Sequence, residues 1–391
     1  MKKLRLGVIG LGQRGSQLMK DIFVPSDRVC VSAVCDVYED RIAAASALVT
    51  AHGDPKPYET TDYTTLLDKS KIDLVIVATP WKEHVPMACL AMERGIPCGI
   101  EVGGAQTLDE CYQLVETWEK THTPFMFMEN CCYGRREMMV LNMVKKGLFG
   151  TLVHCAGGYQ HDLRDEISFG RERRHYRLDE YRLNNRENYP THELGPIAKV
   201  LDINHGNRFV SLTATASKAA GLHDYILQNK PDDAVLKNTT FAQGDIVTTV
   251  LKTENGETVV LTLDTTLPRY YSRGFTVRGT KGMYEEATDS VFLDGNTEHF
   301  HWRPHWGNAT EFTEEYDHEV WKKYLAEGVQ GGHDGMDYLV YNEFFDCVRE
   351  GRDVPIDVYD AAVWMAVTPL SEMSLQNGSA PVAFPDFKEK K

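Results

Sequence analysis

Three things that the sequence lacks narrow the class of protein. No run of about 18 apolar residues is present, so we expect no membrane span. Positive charge is scarce, since 57 acidic side chains outnumber 42 basic ones, and the net charge of −15 disfavours nucleic acid and anionic membrane surfaces as partners. The basic start runs directly into a strand-like segment without an apolar signal region, so we expect a cytoplasmic protein.

Cysteine pairs with the spacing of a metal or redox site are also missing. The nine cysteines are odd in number, none belongs to a C-x-x-C motif, and most lie in apolar runs. This pattern is typical of reduced core cysteines in a reducing compartment. We therefore expect neither a disulfide framework nor a metal site.

The first third of the chain alternates strand-like and helix-like segments. Apolar runs of strand length occur at residues 4–9, 29–35, 72–79, 96–102 and 124–130. Helix-compatible segments lie between them, at residues 16–22, 64–67, 83–94 and 107–120. Short links and nearly all-apolar strands indicate a parallel sheet. We therefore predict that residues 1–130 form a doubly wound Rossmann domain of the α/β class.

The rest of the chain does not continue this alternation of strands and helices. An amphipathic helix at 135–146 is followed by strand-like segments at 151–157, 209–217, 245–253, 258–265 and 274–279, and two helices at 334–350 and 358–376 close the chain. Residues 162–188 are polar and irregular, which predicts a long functional or flexible loop. We predict an α+β domain over residues 131–391, built on an open, largely antiparallel sheet.

The start of the chain carries a dinucleotide-binding fingerprint. Gly10, Gly12 and Gly15 follow the first strand in G-x-G-x-x-G spacing, and Asp36 ends the second strand about 20 residues later. The glycines permit a tight turn, close approach to a pyrophosphate, and close packing of helix on strand. Because an acid at this place accepts from ribose hydroxyls and repels a 2′-phosphate, we expect NAD rather than NADP.

Polar and aromatic residues follow the later strands at the edge where such sheets bind ligands. Trp81 and His84 begin a helix after one strand, Glu101 ends the next, and Glu129 with Asn130 ends the last. A hydrophobic cap and ordinary surface acids explain the same residues. Their position at strand ends nevertheless favours contacts with the nicotinamide end of a cofactor.

Tyr189 and His192 form the most unusual pair of the second domain. They are three residues apart, so they share a face if a helix begins there. A tyrosine and a histidine together remove and return protons near neutral pH. A buried tyrosine beside a core histidine is the competing interpretation of this pair alone.

Other loop residues of the second domain suit sugar binding. Aromatic rings stack on pyranose faces, and polar side chains meet the hydroxyls. The candidates are Tyr159, His161, Arg177, Tyr271 and His333. Each taken alone also fits a loop or a helix cap.

The glycine turn and the two-domain plan resemble the Gfo/Idh/MocA superfamily of sugar oxidoreductases. Members normally carry Glu-Lys-Pro at the end of the fifth strand, and the lysine is catalytic. The matching stretch here is Glu101-Val102-Gly103, which has no lysine. This departure argues against ordinary sugar dehydrogenation.

The departure instead resembles the NAD-dependent glycosidases of glycoside hydrolase family 109, whose type activity is α-N-acetylgalactosaminidase. The similarity extends over nearly the whole chain. It is carried by T-P-W-x-x-H-V-P-M at 79–87, Glu101-Val102, Glu129-Asn130, Y-P-T-H at 189–192 and D-V-Y-D-A-A at 357–362.

The resemblance implies roles for individual residues. Cofactor contacts are implied at Gly10, Gly12, Arg14, Gly15, Asp36, Trp81, Lys82, Glu83, His84, Glu101, Val102 and Asn130. Sugar contacts are implied at Tyr159, His161, Arg177, Tyr189, His192, Tyr271 and His333. Tyr189 and His192 are the expected proton carriers, with Tyr159 or Glu129 assisting at the leaving group or the water.

The implied activity is a redox-neutral hydrolysis of a small glycoside, with an N-acetylhexosaminide as the expected substrate. It proceeds by transient oxidation at C3, elimination across C1 and C2, water addition and re-reduction. An NAD-dependent sugar or inositol dehydrogenase and a non-catalytic sugar sensor are the alternatives. The resemblance also implies a homo-oligomer that pairs through the sheet of the second domain.

Overall fold

A computed structural model of the chain describes residues 2–295 and 301–389. The strands of this described part are β1 Leu4–Ile9, β2 Val29–Cys35, β3 Tyr58–Thr60, β4 Leu74–Val77, β5 Cys98–Ile100, β6 Phe125–Phe127, β7 Leu152–Gln160, β8 Phe209–Ala216, β9 Ile246–Thr253, β10 Thr258–Asp264, β11 Thr276–Gly279, β12 Gly282–Glu285, β13 Ser290–Leu293 and β14 Val382–Ala383.

The α-helices lie between and after these strands. They are α1 Gln13–Leu18, α2 Glu39–Ala51, α3 Tyr63–Lys69, α4 His84–Glu93, α5 Leu108–Thr121, α6 Arg135–Lys145, α7 Arg164–Ser168, α8 Arg177–Leu183, α9 Thr191–Val200, α10 Gly221–Asn229, α11 Thr313–Tyr316, α12 Glu319–Glu327, α13 Met336–Glu350 and α14 Val358–Gln376.

The chain divides into two compact units. The first unit contains the described residues up to Tyr133 together with Glu327–Val363. The second unit contains the described residues of Gly134–Ala326 together with Trp364–Glu389. Sequence analysis had expected every residue after 130 to belong to the second domain, whereas Glu327–Val363 return to the first unit.

The sheet of the first unit is parallel throughout its described strands, in the order β3-β2-β1-β4-β5-β6. The predicted Rossmann architecture is therefore confirmed. β4, β5 and β6 are shorter than the apolar runs that predicted them, because strand pairing covers only part of each run. A capping box at Thr107 and Glu110 opens α5, with each side chain bonded to the other's backbone N–H.

Helix α13 belongs to the first unit because its apolar face packs there. The ring of Tyr341 contacts Phe23 edge-on, with centroids 5.0 Å apart. Phe344 lies against β5, where a Cβ added to Gly99 would stand 3.3 Å from its ring. The helix also carries Asp346, which pairs with Arg28 at 3.1 Å. These contacts span more than 200 residues of sequence, so local pattern does not reveal them.

The second unit is built on a largely antiparallel sheet, in the order β13-β12-β11-β7-β10-β9-β8-β14 within the described chain. Only β7 and β10 pair in parallel among these neighbours. The predicted α+β class is confirmed. Three of its strands, β12, β13 and β14, are too short to have been predicted from apolar runs.

The prediction of one long loop at residues 162–188 is wrong. Helices α7 and α8 occupy much of this segment, and their apolar residues Ile167, Leu178 and Tyr181 are buried. Each helix has two turns at most and depends on tertiary packing rather than on its own propensity. Because the segment is mostly polar, it has no clear apolar pattern that would predict these two helices.

None of the described helices combines the length and the apolar character that crossing a membrane requires.

Candidate active site

The glycine turn of the first unit is shaped for close approach. Gly10 adopts a φ of +94°, and a Cβ there would stand 2.5 Å from the carbonyl of Ala78. A Cβ at Gly15 would stand 2.0 Å from the Gly10 carbonyl oxygen, so α1 packs onto β1 only because Gly15 has no side chain. A Cβ at Gly12 would meet nothing nearer than 3.6 Å. Gly12 therefore leaves open space at the helix N-terminus, where a pyrophosphate binds.

The end of β2 fits the adenosine half of the same cofactor. The Asp36 carboxylate is buried and accepts hydrogen bonds from the N–H groups of Leu11 at 2.7 Å and Tyr38 at 3.0 Å. The next side chain, Val37, is 75% exposed and offers an uncovered apolar surface beside the acid. The open glycine turn, the acid and this apolar surface together fit a bound NAD.

The residues that follow β4 differ in how they are held. Trp81 is buried, and a Cβ added to Gly103 would stand 2.2 Å from its indole ring. His84 is also buried, and its Nε2 donates to the Thr79 carbonyl at 2.7 Å. Burial lowers the pKa of His84, which therefore stays neutral near pH 7. Lys82 and Glu83, by contrast, extend toward solvent and lie 3.8 Å apart.

Arg14 is the centre of a charged network in the first unit. Its Nη2 lies 3.0 Å from Oε1 of Glu101, and its two Nη atoms contact both carboxylate oxygens of Asp337 at 2.7 and 2.8 Å. Burial alone would raise the pKa of Asp337, but hydrogen bonds from Arg14 and His333 hold it well below its usual range. The guanidinium at the glycine turn is thus fixed by two buried carboxylates.

Further side chains complete this Arg14 network. Asn130 donates to Asp337 Oδ1 at 2.8 Å, and His333 Nδ1 lies 2.7 Å from Asp337 Oδ2. The hydroxyl of Tyr341 donates to Glu101. Val102, in the position of the superfamily's lysine, is buried. His333, expected from sequence to contact sugar, is therefore held in the first unit beside Asp337.

Sequence analysis missed Asp337 and Tyr341. Both lie on α13, 200 residues or more from Arg14 and Glu101, so no local spacing links them to the strand ends. The stretch G-G-H-D-G-M-D at 331–337 contains His333, which the sequence offers as a sugar-binding candidate, and Asp337. Its residues His333 and Asp334 adopt positive φ values of 51° and 53°, an uncommon conformation for such side chains.

Glu129 also lies in the first unit. Its side chain is fully buried after β6, and its Oε1 accepts from the Cys131 N–H at 3.1 Å.

The second unit gathers the predicted proton carriers into an aromatic cluster. Tyr159 ends β7, and Tyr189 and His192 flank the start of α9. The ring of Tyr159 lies 4.4 Å from that of Tyr189 and 5.4 Å from that of His192. The Tyr189 and His192 rings are 4.8 Å apart and nearly perpendicular. The two rings are thus adjacent, although α9 begins at Thr191 and Tyr189 lies just ahead of the helix.

His161 and Tyr271 extend this aromatic cluster. The Tyr159 hydroxyl is 3.0 Å from Nδ1 of His161, and the His161 and Tyr271 rings are 5.1 Å apart. Burial lowers the pKa of His161, and nearby Arg177 lowers it further, although Glu166 opposes them. The imidazole is therefore neutral near pH 7 and shares a hydrogen bond with a phenol.

Arg177 supplies the positive charge of the aromatic cluster. It is buried at the start of α8, and its Nε lies 2.9 Å from Oε1 of Glu166. Its guanidinium carbon is 5.1 Å from the centroid of the Tyr189 ring, within the range of a cation–π contact. The segment that sequence analysis described as a loop thus folds to bring this cation against Tyr189.

A buried ion pair lies behind the aromatic cluster and was also missed. Glu193 follows His192 on α9 and is fully buried, with its Oε2 3.5 Å from Nε of Arg273. Arg273 in turn bonds the buried Glu137. A Cβ at Gly157 would stand 2.0 Å from the side chain of Glu193, so β7 needs glycine there. A glycine inside a predicted strand was the one available signal of this close approach.

The two units together define a class: an NAD-binding enzyme that combines an oxidoreductase-type Rossmann domain with a second, mostly antiparallel domain. Residues 4–128 match the oxidoreductase family with an NAD-binding Rossmann fold. Residues 133–391 match the glycosyl hydrolase 109 C-terminal domain. The chain belongs to glycosyl hydrolase family 109 and is an NAD-dependent glycosidase.

Full-length relatives agree with this assignment. A glycosyl hydrolase family 109 protein of Parabacteroides distasonis is 38% identical, over 98% of this chain and 87% of its own length. An α-N-acetylgalactosaminidase of Tannerella forsythia is 37% identical, over 98% of this chain and 86% of its own.

Solved structures share the fold at low sequence identity. A myo-inositol 2-dehydrogenase from Lactobacillus plantarum superposes with a TM-score of 0.69 at 16% identity, covering 98% of this chain and all of that one. An inositol dehydrogenase homologue from Azotobacter vinelandii, solved with NAD+, also has a TM-score of 0.69, at 15% identity and 98% coverage of both chains.

Proposed function

We propose that this chain hydrolyses N-acetylhexosaminides, with α-N-acetylgalactosaminides as the preferred class, through transient oxidation at C3 of the sugar. The observation that carries the proposal is the packing of Tyr159, Tyr189 and His192 ring against ring in the second unit. The named activity of the Tannerella forsythia relative supports the choice of sugar.

The proposed reaction needs groups that move protons at C3 and C2. Bound NAD+ supplies the oxidation of C3 and the later re-reduction. Tyr189 removes the proton of the C3 hydroxyl as the ketone forms, and Arg177 holds positive charge over its ring. His192 then takes the C2 proton, which the adjacent ketone has made acidic, and the C1–O bond breaks as electrons move into the C1–C2 double bond.

The second half of the reaction returns these protons. Tyr159, hydrogen-bonded to the neutral His161, donates to the departing oxygen or orients the water that adds at C1. Glu129 is the alternative for this role. His192 gives its proton back to C2, and Tyr189 gives its proton back to the C3 oxygen.

This assignment differs from ordinary glycoside hydrolysis, which uses a pair of carboxylates on either side of the bond. Two carboxylates of the second unit already contact arginines: Glu166 pairs with Arg177, and Glu193 lies beside Arg273. We therefore assign the proton transfers to phenol and imidazole groups, with Glu129 kept as the alternative to Tyr159.

The proposal is tested by following two signals in one cuvette. The protein is mixed with p-nitrophenyl α-N-acetylgalactosaminide, and p-nitrophenol release is read beside absorbance at about 340 nm. A panel of other p-nitrophenyl glycosides is assayed in parallel to identify the preferred sugar. Release without net NADH formation is the expected result.

Two outcomes contradict the proposal. NADH that accumulates in proportion to added free sugar, without nitrophenol release, identifies a dehydrogenase instead. Sugar or dinucleotide binding without turnover of any glycoside in the panel identifies a sensor. Release from a different glycoside, again without net NADH, keeps the mechanism and corrects the substrate.

Self-association is the second part of the proposal. One row across the sheet of the second unit carries small or β-branched, uncharged side chains that are exposed or half-buried. In register order these are Thr213, Val250, Val260, Ala156 and Thr276. We infer that a second copy of the chain covers this row.

Sedimentation of the purified protein tests this inference. Val260→Glu places a charge in the middle of the row, and the expected result is a shift to the monomer. Glu at the exposed Leu227 on α10 is the control, since that residue lies off the sheet. A wild-type monomer, or an unchanged oligomer in Val260→Glu, contradicts it.

A further inference from the structure

Glu193 connects α9 to the sheet of the second unit beside the aromatic cluster. It follows His192 directly in sequence, and none of its side chain is exposed. Its Cβ and Cγ pack against Gly157 of β7 so closely that a Cβ added to this glycine would stand 2.8 and 2.0 Å from them. The side chain of Glu193 therefore occupies the space that a side chain at position 157 would take.

Gly157 and Tyr159 lie on the same face of β7. They are two residues apart, and each pairs with a buried leucine of β10. The centroids of the Tyr159 and His192 rings are 5.4 Å apart. The contact between Glu193 and Gly157 thus lies one residue along α9 and two along β7 from this pair of rings. The two contacts join α9 to β7 at neighbouring points.

The carboxylate of Glu193 contacts a second segment of the same unit. Its Oε2 lies 3.5 Å from Nε of Arg273, and the Arg273 carbonyl oxygen would stand 3.3 Å from a Cβ on Gly157. Arg273 follows Tyr271 by two residues and also bonds Glu137, which is buried on α6. One side chain of α9 therefore contacts both β7 and the segment that follows Tyr271.

We propose that Glu193 is a positioning residue, which holds His192 in the place beside Tyr159 that proton transfer at the sugar requires. This inference rests on the role proposed above for His192. A displacement of about 1 Å in a reacting group lowers the rate by up to about 100-fold. Because Glu193 acts through His192, its replacement should lower kcat and leave KM for the glycoside nearly unchanged.

Three replacements of Glu193 separate the shape of the side chain from its charge. Glu193→Gln keeps the length and an oxygen that accepts from Arg273, so kcat should stay within about threefold of wild type. Glu193→Asp keeps the charge but is one methylene shorter, and Glu193→Ala loses both, so kcat should fall about tenfold or more in each. Because Arg273 keeps Glu137 as a partner, its charge is not left unpaired, and the variants are expected to fold.

Gly157→Ala tests the other side of the contact. Its new Cβ would meet the Glu193 side chain at 2.0 Å, so α9 must move, and kcat should fall about tenfold or more. The double variant Gly157→Ala/Glu193→Ala removes this clash. Its loss of kcat should be no greater than the larger of the two single losses, because both substitutions disturb one contact. Losses that multiply, to roughly 100-fold, would mean that the two residues act independently and would overturn the proposal.

Gly279→Ala and Asp317→Ala are the matched controls. A Cβ at Gly279 would stand 2.1 Å from the Phe149 carbonyl oxygen, but Gly279 pairs with the first residue of β7, roughly 20 Å along the strand from Tyr159. Asp317 is another buried acid of the second unit that pairs with an arginine, at 2.6 Å, between α11 and α12. Both variants should lower the melting temperature while kcat stays within about twofold of wild type.

The measurements are kcat and KM on the p-nitrophenyl glycoside that the wild type cleaves best, together with the melting temperature. Wild-type kcat in Glu193→Ala, or a loss of kcat in the controls as large as in Glu193→Ala, overturns the proposal. If Glu193→Ala does not fold, the other two variants decide: a kcat of Glu193→Asp below that of Glu193→Gln supports the proposal, and equal values overturn it.

His192→Ala separates this inference from the proposed reaction. Normal turnover of His192→Ala would remove the proton-transfer role of His192, and with it the reason for positioning this residue. An inactive His192→Ala beside a fully active Glu193→Ala would overturn the positioning role alone.

Discussion

The two units build their sites from different kinds of side chain. In the first unit Arg14 is fixed by Glu101 and Asp337, and the site depends on paired charges. In the second unit Tyr159, Tyr189 and His192 pack ring against ring. The first site is thus built from charged side chains and the second from aromatic rings, to which our proposal assigns the proton transfers.

This difference predicts different responses to mutation. A buried charge that loses its partner destabilises the fold around it, because desolvation is no longer offset. A ring that carries a proton loses chemistry when it is truncated, and the fold keeps most of its packing. Changes in the charged network should therefore appear in stability and cofactor retention, and changes in the aromatic cluster should appear in turnover.

The largest effect is expected for His192→Ala. Loss of the base that we propose for C2 should lower turnover by about 10²- to 10⁴-fold, while the bound NAD and the melting temperature stay close to wild type. Turnover of the p-nitrophenyl glycoside and chromatography of the bound nucleotide measure the two properties. His154→Ala is the control, since His154 bonds Thr258 on the sheet and lies outside the aromatic cluster.

Near-normal turnover of His192→Ala removes this residue from the proton chemistry. Parallel loss of activity and of melting temperature instead assigns it a packing role. Variants in the aromatic cluster would then change stability as well as turnover, contrary to the expected difference between the units.

The next largest effect is expected for Asp337→Asn. Removing this charge leaves Arg14 with one carboxylate, and the free energy of unfolding should fall by about 3 kcal/mol or more. Bound NAD should fall with it. Asp346→Asn on the same helix is the control, because Asp346 pairs with Arg28 near the surface and should cost about 1 kcal/mol or less. Urea denaturation at neutral pH compares them.

The low pKa of Asp337 also fixes a pH window for this difference. Because the folded state holds the carboxylate ionised, its contribution is complete above about pH 4, the usual aspartate value. It is lost as the pH falls further toward the folded pKa. The stability gap between wild type and Asp337→Asn should thus narrow below pH 4, and a gap that widens there contradicts the network.

What sequence predicts of these sites depends on how local the signal is. Gly10, Gly15 and Asp36 form a pattern within one strand–helix–strand segment, so both the fold and NAD followed from it. Tyr189 and His192 were linked by helical spacing alone. Asp337 and Tyr341 reach Arg14 and Glu101 only because α13 packs in the first unit, and no spacing rule connects residues so far apart.

The same reasoning explains the missed parts of the second unit. Helices α7 and α8 are short and polar, so their own sequences favour a helix only weakly. They are stabilised by the burial of residues such as Tyr181. The Glu193 side chain, which contacts Arg273, packs directly against Gly157 of β7, because glycine has no Cβ to block it. A glycine in a strand marks close approach, but it does not say which side chain approaches.

A smaller effect is expected for Glu187→Gln, which tests an acidic residue close to the aromatic cluster of the second unit. Glu187 is buried two residues before Tyr189, and burial raises its pKa from 4.5 to about 8. The folded state therefore keeps a proton that the unfolded chain releases, and stability falls as pH rises from about 4.5 to 8. The Gln variant lacks this dependence, so its advantage should grow by up to about 1.4 kcal/mol per pH unit.

Melting temperatures of wild type and Glu187→Gln between pH 5 and 8 measure this trend. Glu172→Gln is the control. A hydrogen bond from Lys230 lowers the pKa of Glu172 at the surface, so this acid is ionised in both states over this range and its difference from wild type should not change with pH. A pH-independent difference for Glu187→Gln would contradict this, because it would mean that the acid is ionised in the folded state.

The smallest effect is expected for Lys82→Ala, at the exposed margin of the cofactor unit. The Lys82 side chain is 67% exposed and is 3.8 Å from Glu83, so we expect the backbone of this turn rather than the Lys82 side chain to contact the cofactor. We expect NAD affinity within about twofold of wild type, since exposed ion pairs contribute little.

Trp81→Ala is the contrasting variant: the indole is buried against Gly103, and its loss should weaken NAD binding by tenfold or more. Titration of both variants with NADH measures this ratio. Equal losses in the two would mean that an exposed cation reaches the nucleotide. The charge of Lys82 would then contribute to cofactor binding directly. We expect the buried ion pairs around Arg14 to contribute in another way, by holding the shape of the binding site.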